Sequence, residues 1–298
     1  MTDQDTIVLD SGRRVGIHWV ARGEGRTVVF CHAAPGAGNF DPDPEETARR
    51  RVTLIAVDRP GYGASDPVRG DEWASVDAAA DDLAEVLRRL DVAQAGVAGW
   101  SAGGRVALAL AARHPELVER AAIVATPAPD EFVPWIPPEQ NEALGMLRGK
   151  PAEEVHAILA AQLEQMLPED ASPEAWLGLL GASPADEPAL ALPGAAERLA
   201  EMLRAAFAQG PAGLAADLAG YTLRPWGFEP AEVVTRTLCL YGASDPVAGS
   251  RHGAWWQKNL PEARLEMVPE AGHLLIVPMW GRVLSHLAPG ARGGGDDD

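Results

Sequence analysis

Apolar and polar residues alternate over residues 6–9 and 15–20, on either side of the turn-forming Asp10-Ser11-Gly12. That pattern predicts an antiparallel hairpin. Beyond it the pattern changes to short apolar runs over 26–31, 52–57, 95–98 and 121–125. Such runs predict strands buried on both faces. Between them, residues 45–51, 76–90 and 102–114 carry helical spacing; in the second, Val76, Ala79, Ala80, Leu83, Val86, Leu87 and Leu90 fall on one face. Strands alternating with helices imply right-handed crossovers and a mostly parallel sheet flanked by helices, an α/β fold.

From Thr126 the composition shifts. Pro127, Pro129, Pro134, Pro137 and Pro138 form a linker, and amphipathic helical stretches follow over 153–167, 173–180, 195–208 and 211–221. Strand logic resumes at 236–241, then a helix over 249–259, a strand over 264–268 and a closing helix over 279–287. The chain therefore divides into a core formed by 1–125 and 231–290, a helical insertion at 126–230, and a disordered polar tail at 291–298. The apolar stripes of the insertion (Leu159, Leu163, Met166; Leu199, Met202, Leu203, Phe207; Leu214, Leu218) are expected to serve mainly as helix core, with a minority lining a pocket.

Composition narrows the functions open to such a fold. The formal net charge is −18, and phosphate contacts need clustered Lys and Arg, so no nucleic-acid partner is expected. The residues from Met1 to Asp5 do not resemble a signal peptide, and no apolar run approaches the roughly 20 residues that span a bilayer. A cytoplasmic protein without membrane association is expected. Cys31 and Cys239, both inside predicted strands, are expected to be reduced core residues. No His/Cys cluster has metal-ligand spacing and no strand leads into Gly-x-Gly-x-x-Gly, so neither a metal nor an organic cofactor is implied.

The candidate chemistry lies at one junction. The run 95–98 passes into the helix at 102 through Gly99-Trp100-Ser101-Ala102-Gly103-Gly104, which places a serine on a sharp strand-to-helix turn beside the positive end of a helix. By itself the pentapeptide Gly-x-Ser-x-Gly is a weak signal. A serine hydroxyl needs a base within hydrogen-bond reach and a group that orients the base. Asp245 follows the strand at 236–241 and His273 follows the strand at 264–268, so all three fall at the C-terminal edge of a parallel sheet, where open α/β folds bind ligands. The order Ser101, Asp245, His273 suits a nucleophile on such a turn.

Four segments together carry a resemblance: the serine turn, Asp58-Arg59-Pro60-Gly61-Tyr62-Gly63-Ala64-Ser65, Gly242-Ala243-Ser244-Asp245-Pro246-Val247, and Gly272-His273. The chain resembles the α/β-hydrolase superfamily, of the serine-nucleophile type with a helical cap inserted after the sixth strand. The resemblance implies a serine hydrolase that cleaves an ester or related acyl bond of a small, apolar substrate through an acyl-enzyme. His273 would act as base, Asp245 would orient it, and the backbone N–H groups of Ala102 and Ala34 would form the oxyanion hole. The loop His32-Ala33-Ala34-Pro35-Gly36 departs from the family's His-Gly-x-Pro-Gly at Ala33. Trp100 would either wall the substrate pocket or pack the sheet edge. Lactonase, thioesterase, aminopeptidase, cofactor-free haloperoxidase and carbon–carbon bond hydrolase share the same triad, and a non-catalytic ligand-binding protein shares the same fold.

The remaining polar candidates have structural expectations. His32 braces the oxyanion loop, Asp58 and Arg59 fix their turn, and His114 complements a helix C-terminus. His18, His156, His252 and His286 are surface or structural. Asp66 and Asp217 are alternative triad acids, but neither follows a late strand. The sequence leaves the oligomeric state open.

Overall fold

The computed structural model describes residues 3–167 and 176–290. The predicted tail at 291–298 and the first part of the predicted helix at 173–180 lie outside the described residues. An eight-stranded sheet has the order β1-β2-β4-β3-β5-β6-β8-β9. Strands β1 (Asp3–Val8) and β2 (Arg14–Ala21) form the predicted hairpin, and β2 pairs antiparallel with β4 (Thr53–Val57). From β4 onward the sheet is parallel, through β3 (Thr27–Cys31), β5 (Ala95–Trp100), β6 (Val118–Val124), β8 (Thr237–Gly242) and β9 (Ala263–Val268).

The inner parallel strands bury both faces with a period of two, whereas β9, at the sheet edge, is only partly buried. Val28, Phe30, Ala98, Trp100, Val124, Leu238 and Leu240 pack to one side, where the closing helix α10 (Trp280–Leu287) lies. Val29, Cys31, Val97, Ile123, Cys239 and Tyr241 pack to the other, under α2 (Val76–Arg89), α3 (Ala102–Arg113) and α9 (Ser250–Asn259). Burial pushes both cysteine thiols up to about 12, so neither is a thiolate at neutral pH. Strand β6 begins at Val118, ahead of the apolar run at 121–125. The polar pair Glu119 and Arg120 hides its start, while backbone pairing with β5 continues across an irregularity at Ala95/Gly96.

Between β6 and β8 the chain is largely helical. It contains α4 (Pro138–Gly145), α5 (Ala152–Met166), α6 (Glu187–Leu190), α7 (Ala195–Ala206), a short extended segment β7 (Ala208–Pro211) and α8 (Ala212–Leu223). Leu199, Met202 and Leu203 of α7 join the core, and Leu159 of α5 packs with Ala215 and Ala219 of α8. Met166, expected on a packed stripe, is 72% exposed because it sits at the very end of α5. Among the described residues no helix is long and apolar enough to cross a membrane.

Helix α1 (Pro44–Arg49) is capped by Asp43, which accepts from the backbone N–H groups of Glu45 and Glu46. Beside it Asp41 is buried, accepting from the Thr47 hydroxyl at 2.8 Å and the Asp43 N–H at 3.1 Å. Burial outweighs these bonds and pushes the Asp41 carboxyl up to about 6. A folded-state pKa above the unfolded value means that its contribution to stability is fullest below about pH 4 and is lost as pH rises through about 6. Asp41→Asn is therefore expected to stabilise the fold by about 1–3 kcal/mol at pH 8 and to change little near pH 4. Urea unfolding at the two pH values checks this.

Candidate active site

Strand β5 ends at Trp100 and α3 begins at Ala102, so Ser101 alone makes the turn, with φ 53° and ψ −122°. A non-glycine residue in that region costs about 1–3 kcal/mol and persists only where its surroundings over-determine it. Here the Ser101 N–H donates to the Val124 carbonyl at 2.8 Å, and the Gly104 N–H donates to the Ser101 carbonyl at 3.1 Å.

The glycines around the serine are there for close approach. A methyl group on Gly99 would lie 2.4 Å from the Gly103 carbonyl oxygen, and one on Gly103 would lie 2.1 Å from the Cys31 carbonyl oxygen. A methyl group on Gly104 would meet the Thr126 hydroxyl at 1.8 Å. The first turn of α3 is thus pressed onto the end of β3 and the loop after it. Gly103→Ala is expected to destabilise the protein by about 3 kcal/mol or more, because backbone must shift. Gly145→Ala, at the end of α4 with nothing near the added methyl, is expected to gain about 0.5–1 kcal/mol. Chemical denaturation of the two variants checks the contrast.

Parallel register carries the other two residues to the same edge, since β5, β6, β8 and β9 pair in step to their C-terminal ends. The loop after β8 presents Asp245 and the loop after β9 presents His273. His273 Nε2 is 2.9 Å from Ser101 Oγ, and His273 Nδ1 is 2.9 Å from Asp245 Oδ2. A carboxylate only accepts, so these partners assign the proton to Nδ1 and leave Nε2 to accept from the serine hydroxyl. Asp245 Oδ1 accepts from the N–H groups of Val247 at 2.8 Å and Ala248 at 3.0 Å. Burial alone would raise the Asp245 pKa, but these bonds and the His273 contact outweigh it and hold the carboxyl below its ordinary range.

Two supports of His273 were not legible in the sequence. The Trp100 indole donates to the His273 carbonyl at 3.0 Å, and its ring is fully buried against Phe40. The Trp100 and His273 rings lie 6.3 Å apart, centroid to centroid. Asp186, buried in the helical insertion, accepts from the Leu274 N–H at 2.7 Å and from the N–H and hydroxyl of Ser183. The spacing Ser-x-x-Asp is a capping signal that sequence could have supplied, but its partner 88 residues away is not.

On the other side of Ser101, the loop after β3 places Ala33 in the core and leaves Ala34 partly exposed. Among the described residues the Ala34 N–H has no hydrogen-bond partner, and Ala102 opens α3, where a backbone N–H has no intrahelical partner. His32 braces this loop: its Nδ1 donates to the Ala33 carbonyl at 2.8 Å, while its Nε2 accepts from the Arg59 N–H at 3.2 Å. Burial, reinforced by the Arg59 charge, lowers its pKa well below the ordinary value and keeps it neutral.

The alternative acids are engaged elsewhere. Asp217 pairs with Arg59 at 2.7 Å, and Asp66 pairs with Arg14 at 2.9 Å. Asp58 accepts from His18, Gly38 and Ala64 and so knits its turn to the sheet. His114 meets Asp81, His286 meets the Arg236 carbonyl, and His156 packs edge-on against Trp73. His252 Nδ1 accepts from the Ala128 N–H, and burial lowers its pKa to about 4.

Comparison with known proteins agrees with this architecture. The family model of the alpha/beta hydrolase fold matches residues 26–278. The chain belongs to the α/β-hydrolase family, and it is a hydrolase. A pimeloyl-[acyl-carrier protein] methyl ester esterase of Nitrosomonas europaea is 28% identical over 263 residues, spanning 86% of this chain and 92% of its own. The protein of the same description from Chromobacterium violaceum is 30% identical over 259 residues, spanning 84% and 88%. In fold, the chain is similar to a hydrolase from Pseudomonas aeruginosa PA01, with a TM-score of 0.68, 23% identity, and coverage of 95% of this chain and 97% of that one.

Proposed function

We propose that the protein is a serine esterase in which Ser101 attacks the carbonyl of a carboxylic ester and forms an acyl-enzyme. One observation carries this reading: His273 bridges Ser101 Oγ and Asp245 Oδ2 with two contacts of 2.9 Å. In the proposed reaction Nε2 takes the serine proton as the hydroxyl adds to the ester carbonyl, and then gives it to the departing alcohol. The N–H groups of Ala34 and Ala102 hold the oxygen that becomes negative in the tetrahedral intermediate. Water, deprotonated by the same nitrogen, then releases the acid and restores Ser101. Asp245 stays ionised and keeps the proton on Nδ1.

The surroundings support an apolar acyl group. Val247 lies close to Gly181 of the helical insertion, and Gly181 in turn sits against the His273 ring. Leu180 and Ala182 flank Gly181 and pack into the same core cluster as Trp176 and Phe207. Both esterase relatives are named for a methyl ester, which supports an ester over an amide as the scissile bond. The test is rapid-mixing kinetics with p-nitrophenyl esters of increasing chain length. The expected result is a burst of one p-nitrophenol per protein, with kcat/KM rising from acetate to medium-chain esters. Hydrolysis of none of the esters, with saturable ester binding unaffected by Ser101→Ala, would instead favour a ligand-binding protein.

A further inference from the structure

We propose that Asp217, on helix α8 of the insertion, is a positioning residue for the oxyanion hole: through Arg59 it fixes the peptide plane whose N–H belongs to Ala34. This rests on the serine-esterase reading above. Arg59 and Asp217 form a buried pair, with Arg59 Nη2 2.7 Å from Asp217 Oδ2 and Arg59 Nε 3.2 Å from the same oxygen. The guanidinium also turns its Nη1 to the His32 carbonyl at 2.5 Å and its Nη2 to the Ala33 carbonyl at 2.8 Å. The Ala33 carbonyl therefore receives two donors, Arg59 and the His32 ring.

A peptide unit is planar, and in a trans unit the C=O and N–H point in opposite directions. The Ala33–Ala34 peptide is trans. Anchoring the Ala33 oxygen on the buried side thus aims the Ala34 N–H the other way, toward the partly exposed side of the loop. A donor is useful to a developing oxyanion only if its direction is set beforehand. Arg59 supplies that direction, and Asp217 orients Arg59.

Helix α8 is well placed to do this because one of its faces is clamped to the core. A methyl group on Gly213 would lie 2.7 Å from the Tyr62 ring, and one on Gly220 would lie 2.1 Å from the Ala74 carbonyl oxygen. Residues 213, 217 and 220 recur at helical spacing, so both close approaches share a face with Asp217. Tyr62 adds a hydrogen bond from its hydroxyl to Asp217 Oδ2 at 2.9 Å. Among the described residues, Arg59, Tyr62 and Asp217 make no hydrogen bond to Ser101 or His273, and they thereby tie the insertion to the oxyanion loop without entering the Ser101–His273 pair.

The experiment uses the full chain and the near-isosteric variant Asp217→Asn, which removes the charge that orients Arg59. Three quantities are read: kcat and KM on a p-nitrophenyl ester, the inhibition constant of a trifluoromethyl ketone, and the melting temperature. The ketone adds to the serine and places an oxyanion in the hole, so its affinity reports on the donors. Losing one oxyanion donor outright costs about 10²–10³ in kcat, so a misaimed donor is expected to cost about 10-fold. The ketone should weaken by the same factor while KM stays within about twofold. Leu9→Ala, in the separate cluster formed with Val15, Ile17, Ile55 and Val86, serves as a destabilised control with unchanged kcat per folded molecule.

Unchanged kcat and ketone affinity in folded Asp217→Asn would overturn the proposal and leave the esterase reading standing. Losses that follow only the folded fraction, as in the control, would overturn it equally. Should Asp217→Asn not fold, Arg59→Lys keeps the charge pair but loses the fork that holds both carbonyls, and the same losses are expected. Wild-type protein that forms no adduct with the ketone would overturn the esterase reading itself, and the proposal with it.

Discussion

Ser101→Ala is expected to lower kcat on any hydrolysed ester by about 10⁶-fold, with the fold intact. The magnitude follows from the proposed mechanism, in which the three residues act as a unit: without the Ser101 hydroxyl His273 would have nothing to deprotonate, and only binding and the proposed oxyanion contacts would remain. Alanine relieves no packing conflict, and it occupies the same positive-φ position as serine. Melting temperature should therefore change little, and KM should stay near that of the wild type. Steady-state kinetics with a sensitive fluorogenic ester, checked against active-site titration to exclude traces of wild type, measures the loss.

Asp245→Asn is expected to lower kcat by about 10⁴-fold for a different reason. Asp245 uses one oxygen for the N–H groups of Val247 and Ala248 and the other for His273 Nδ1. In asparagine the amide oxygen must keep the backbone donors, so the NH₂ turns toward Nδ1. The imidazole then carries its proton on Nε2, the nitrogen that faces Ser101, and cannot accept from the hydroxyl. Side-chain volume is conserved, so folding and substrate binding should survive. Imidazole nitrogen shifts in the NMR spectrum report the tautomer directly, and kcat reports its consequence.

Much of this site was legible because local chemistry dictated it. The turn at Ser101 has to be bordered by glycine, since methyl groups at 99, 103 and 104 would strike neighbouring atoms. The segments ending near 100, 242 and 268 pair as parallel strands, and parallel strands carry their following loops to one edge. The supporting contacts were not legible, because they join residues that only packing brings together. Asp217 lies 158 residues from Arg59, and the Trp100 indole finds a carbonyl 173 residues away. No local periodicity encodes such pairs. In the sequence Asp217 is an alternative acid, because type and order mark a carboxylate as a candidate, whereas its partner decides its use. In the sequence Trp100 suits a pocket wall and a packing residue equally well; its indole hydrogen bond and full burial follow from tertiary structure alone.

Intact-mass labelling with a fluorophosphonate reads whether Ser101 is the activated nucleophile proposed above. The expected result is one adduct per chain on the wild type, absent from Ser101→Ala and His273→Ala. A folded wild-type protein that takes up no probe, including a small one able to pass the helical insertion, would show that Ser101 is not activated. So would an adduct that persists in Ser101→Ala.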